Sequence, residues 1–152
     1  MSDPHSVIGP EVLAARRALE GIFLHGKQVG EVQHEIEAAG EAFSGVSNAL
    51  FRNVVEALFT GHEPVEEIAA RLTALQRAHP EELAALRPGT MSEFTLEQIG
   101  HGAPPPGWSG HPEADSLLHQ QHLLIRCIAR TESLDLPTWI LGSCARYVSD
   151  DY

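Results

Sequence analysis

Cysteine is scarce in this chain, with Cys127 and Cys144 as the two present among 152 residues. They form no Cys-x-x-Cys pair and no disulfide framework, so both are expected as reduced, buried thiols. Cations are also few: 10 Lys and Arg stand against 21 Asp and Glu, for a net charge of -11. Phosphate affinity comes mainly from clustered Lys and Arg, so this balance excludes a nucleic-acid binder and leaves a basic partner or plain solubility as its meaning. No stretch approaches the ~20 consecutive apolar residues that a membrane span needs. The start, Met1-Ser2-Asp3-Pro4-His5, has neither the basic residues nor the apolar run of a signal peptide. A soluble, cytoplasmic protein is the resulting expectation.

Familiar catalytic signatures are missing as well. The chain has no Gly-x-Ser-x-Gly, no Walker-type phosphate loop, no dinucleotide glycine pattern and no His-Glu-x-x-His. Cys144 follows Gly142-Ser143, but apolar neighbours mark it as a structural thiol. Paired carboxylates such as Glu66-Glu67, Glu81-Glu82 and Asp150-Asp151 fall where helix starts and solvation explain them. The balance leans away from an enzyme.

No convincing period-2 alternation occurs either, whereas helical spacing recurs throughout. Hydrophobic residues make up 43% of the chain, enough for a packed core. Gly9 and Pro10 open a first helix carrying Val12, Ala15, Leu19, Ile22 and Phe23, to about Lys27. A longer stripe runs from Val32 through Ile36, Phe43, Val46, Leu50 and Val54 to Leu58, with a kink or break expected near Ser44-Gly45. Pro64 restarts the pattern, with Glu63, Glu66 and Glu67 suiting the positive end of the helix dipole. Leu83 and Leu86 belong to a short turn behind Pro80. Thr90-Met91-Ser92-Glu93 fits a capping box ahead of Phe94, Leu96 and Ile99.

Composition changes abruptly at 100–112, Gly-His-Gly-Ala-Pro-Pro-Pro-Gly-Trp-Ser-Gly-His-Pro, which reads as a stiff loop. Helical spacing resumes from Glu113 to Arg130, and Pro137 opens a last helix. The expected fold is all-α: a single-domain bundle of five to seven helices over 1–152, with the Pro/Gly-rich loop before the penultimate helix. Ferritin-like, hemerythrin-like and globin patterns match only a few residues each, so no family is assigned.

Nine histidines require a metal or acid–base reading to be weighed. Glu31-x-x-His34 has the spacing of helical di-iron bundles. At 100° per residue, however, His34 falls about 160° to 200° from the apolar stripe and should face solvent. His119, His122 and Arg126 project onto one narrow polar strip of an otherwise apolar helix, a pattern suited to a metal or an anion. His101, Trp108 and His111 are presented by the loop, where side chains often meet a partner. The leading expectation is a noncatalytic acidic helical interaction module, an adaptor, regulator, inhibitor or immunity-type protein or accessory subunit, docking a protein partner through the loop residues His101, Trp108 and His111 and an adjoining helical face. Self-association is expected as well, because the helix after the loop is apolar around most of its circumference. The alternative is a small metal- or ligand-binding helical enzyme built on His119 and His122 with the loop histidines, for which a transition metal is the implied cofactor.

Overall fold

A computed structural model of the chain describes residues 9–99 and 114–149. The segment 100–112, with His101, Trp108 and His111, lies outside them. Among the described residues the protein is all-helical, with seven α-helices and no strand. These are α1 (Pro10–Leu24), α2 (Gln33–Ala39), α3 (Glu41–Val55), α4 (Val65–Ala78), α5 (Pro88–Ile99), α6 (Ala114–Thr131) and α7 (Leu136–Ser149), with a 3-10 turn at Val29–Val32 before α2. None of the described helices is long and apolar enough to cross a membrane. The chain divides into two compact units, one holding the described residues up to Asn53 together with those from Leu134, the other spanning Val54–Ser133.

In the first unit α1 packs on α2 and α7. Pro10 begins α1 because its fixed φ suits the first turn and its missing N–H would have no partner there. Ala15, Ala18, Leu19 and Ile22 then fall on the buried face. The long stripe after Val32 is broken at Gly40, not at the expected Ser44-Gly45. Gly40 has φ +57 and ψ -132, a backbone region that side chains avoid, and its N–H closes α2 on the Ile36 carbonyl. Gly45 stays inside α3 for a different reason: the ring of Tyr147 on α7 occupies the space a Cβ would need. The contact between α3 and α7 is completed by Asn53. Its Nδ2 donates to Ser143 Oγ at 3.1 Å and its Oδ1 accepts from Arg146 Nη1 at 2.5 Å, while Ser143 Oγ donates to the Trp139 carbonyl at 2.7 Å.

The second unit centres on Ile68, Leu72, Leu83, Met91, Leu124, Ile125 and Ile128, all buried. Before α4, the Glu63 carboxylate accepts from the N–H groups of Thr60 and Gly61 and from the Thr60 hydroxyl. Between α4 and α5 the chain makes a turn that Gln76 ties down, its Nε2 donating to the carbonyls of Leu83 and Leu86 at 2.9 Å each. The Arg87 N–H donates to Gln120 Oε1 on α6 at 2.7 Å. Helix α5 starts at Pro88, so Thr90 lies within its first turn and does not act as the expected capping residue; the Ser92 hydroxyl turns back to the Gly89 carbonyl instead. Proline at the helix start fixes the first turn earlier than a side-chain cap at Thr90 would.

Candidate functional site

The polar strip on α6 is split by its surroundings. His119 is exposed, Arg126 is half-buried and His122 is buried, at 4% exposure. Burial lowers the His122 pKa to about 4, and the nearby Arg126 and His119 add to the effect. Its ring is therefore neutral at physiological pH. On the same helix Gln120 and Gln121 are also buried, and Gln120 donates to Ser116 Oγ at 3.1 Å. His34 is exposed, on the side opposite the stripe as its angular position requires.

A surface groove of about 350 Å³ opens beside α4. Leu58, Phe59, Leu72, Ala74, Leu75 and Ala78 line it together with Arg71. The spacing of these α4 residues places them on one side of the helix. Phe59 and Leu72 are buried beneath, Leu75 is half-buried, and Ala74 and Ala78 are exposed. The Arg71 guanidinium lies over the Phe59 ring, 4.4 Å from its centroid, and reaches Glu63 at 3.7 Å. The sequence marks Leu72 and Leu75 as a core stripe. Exposed Ala74 and Ala78 and half-buried Leu75 form the open side of the groove, a consequence periodicity does not reveal.

A second assembly joins the turn after α4 to α6. Among the described residues, the one group of three or more His, Cys, Asp or Glu side chains with converging ligand atoms is His79, Glu82 and Cys127, all within 4.8 Å of one another. Arg130, one turn beyond Cys127, donates to the Glu82 carboxylate through Nη1 at 2.7 Å and Nη2 at 2.5 Å, and its Nη2 lies 3.3 Å from His79 Nδ1. Arg130 holds the Glu82 carboxyl below its usual range. Burial, with the Glu82 charge beside it, pushes the Cys127 thiol up to about 11. Cys144 is likewise a buried, free thiol whose pKa burial raises. His79-x-x-Glu82 is the only sequence signal for this group, and it says nothing of Cys127.

Compared with known protein families, with curated proteins and with solved structures, the chain matches none, so its functional reading rests on these side chains alone.

Proposed function

We propose that the chain is a noncatalytic, acidic helical interaction module whose groove at Leu58, Phe59, Leu72, Leu75 and Ala78 receives an amphipathic helix from a basic protein partner. The observation carrying this reading is the apolar groove of about 350 Å³ in a chain of net charge -11. Exposed apolar concavities in otherwise polar surfaces are where partner helices lay their apolar faces. The exposed carboxylates Glu56, Glu66, Glu67 and Glu81 belong to the same unit, and they favour a cationic partner by steering its approach. His101, Trp108 and His111 remain in this proposal as a further contact to the same partner.

Fluorescence anisotropy with a labelled basic amphipathic peptide, against a scrambled peptide of the same composition, tests the groove. Saturable binding of the amphipathic form, weakened by salt, is expected. Ala78→Trp fills the groove from an exposed position, and Leu75→Gln removes apolar surface from its wall. Each should weaken binding about tenfold, the effect of a modest contact residue, with unchanged circular dichroism. Equal binding of both peptides would overturn the groove reading, as would a dimer of the chain that these substitutions dissociate. Alanine at Trp108 and His111 tests the loop separately.

A further inference from the structure

The contacts of Arg130 constrain the hydrogen-bonding roles of its neighbours. A guanidinium has only donors, so the His79 Nδ1 at 3.3 Å from Nη2 presents a lone pair to it, with the ring proton on Nε2. Both Glu82 oxygens face the same cation. Cys127 sulfur lies within 4.8 Å of the other two ligand atoms, beside the Glu82 carboxylate. A nitrogen lone pair, a carboxylate and a sulfur thus converge beside a position already occupied by positive charge. A salt bridge between Arg130 and Glu82 alone would need neither the imidazole nitrogen nor the thiol.

We infer that His79, Glu82 and Cys127 form a binding site for one thiophilic divalent cation of the zinc class, with Arg130 holding the place of the ion in its absence. The donor set selects the ion. Calcium and magnesium require shells of oxygen, whereas one sulfur, one imidazole nitrogen and one carboxylate match zinc and its relatives. Around a tetrahedral ion with bonds of about 2.0 to 2.3 Å, ligand atoms stand roughly 3.5 Å apart. The three must therefore draw together by about an ångström from their present limit of 4.8 Å. His79 and Glu82 can supply that movement, because both are half-buried on the turn between α4 and α5. Cys127 is fully buried on α6 and supplies the fixed side of the site.

Arg130 also provides the entrance. Its side chain is 57% exposed, so releasing Glu82 returns the guanidinium to water with its charge unchanged. Binding then replaces the Cys127 S–H bond by a sulfur–metal bond and releases that proton to solvent. The carboxylate and the imidazole lone pair coordinate without losing protons. Three protein ligands leave a fourth position for water.

Cobalt titration of the untagged full-length protein, reduced and freed of metal by chelation, tests the site. A thiolate-to-cobalt charge-transfer band should rise to saturation at one ion per chain and disappear when zinc is added. Cys127→Ser and His79→Ala should each abolish the band. Arg130→Gln should tighten binding about fivefold, the factor associated with removing a competing exposed ion pair. Absence of the band from both the parent protein and Arg130→Gln would overturn the inference, as would a band that survives Cys127→Ser. If Cys127→Ser fails to fold, His79→Ala decides, since its side chain lies on a half-buried turn and outside the buried core. The groove reading stands or falls separately, because none of the three ligands lines the groove.

Discussion

Gly45 lies against the ring of Tyr147 so closely that a Cβ at position 45 would overlap it, with Tyr147 Cζ 3.0 Å away and two further ring carbons nearer still. Helix propensity and packing therefore oppose each other at this position. Glycine in a helix interior costs about 1 kcal/mol relative to alanine, so propensity alone makes Gly45→Ala stabilising. Overpacking costs typically 1 to 3 kcal/mol, and the ring is part of a side chain held between helices. Gly45→Ala is expected to destabilise, by roughly 1 kcal/mol net. Urea denaturation measures the sign, and Tyr147→Ala in the same chain should convert the alanine from destabilising to neutral or better.

Asn53 joins Ser143 and Arg146 through both ends of its amide. Asn53→Ala should cost about 1 to 3 kcal/mol, the loss expected when partly buried partners lose their bond. Asn53→Asp keeps the acceptor for Arg146 and adds charge, while losing the donor to Ser143, so it should cost less than the alanine. Denaturation midpoints of the two variants at neutral pH provide the comparison.

His122 should make the protein sensitive to mild acid. Its folded pKa of about 4 lies below the ordinary 6.5, so the fold favours the neutral ring. The stabilisation is complete above about pH 6.5 and is lost as pH falls through 4, a loss on the order of 3 kcal/mol. His122→Gln should flatten stability between those limits. A His122 imidazole resonance, assigned by its loss in His122→Gln, that titrates near 6.5 in the folded protein would contradict the burial effect.

Glu63 acts in a lower window. Burial raises its carboxyl, but bonds from the Thr60 N–H, its own N–H, the Thr60 hydroxyl and the Gly61 N–H outweigh that and bring the pKa to about 2. A depressed carboxyl pKa stabilises above the ordinary value of 4.5, and the contribution disappears as pH falls through about 2. Glu63→Gln should therefore melt at a lower temperature than the parent at pH 7 and converge with it near pH 2. A constant difference across that range would contradict the arrangement at residues 60–63.

The helices were largely legible because their determinants are local. Pro10 and Pro64, the three-and-four spacing of Val46, Leu50 and Val54, and the exposure of His34 all follow from helical geometry applied to neighbouring residues. The misplaced break shows where such reasoning fails. Gly40 and Gly45 carry equal propensity penalties, and only backbone conformation at one and the Tyr147 ring at the other distinguish them. Thr90 similarly resembles a cap until Pro88 is found to start α5. For α6, the angular projection correctly groups His119, His122 and Arg126 on one strip, but the packing around that strip buries one and exposes another.

By itself the sequence determined the all-helical class, most helix starts and the strongly negative charge, since each depends on residue type or on spacing within a few turns. Tertiary structure decided the rest. It joined the segment up to Asn53 with the one from Leu134 into one unit, because packing between faces, not chain order, selects partners. It also set Ala74 and Ala78 at the margin of a groove and brought Cys127 and Arg130 to His79 and Glu82. Convergence of side chains so distant in the chain depends on how the helices carrying them pack, which no single helical period encodes.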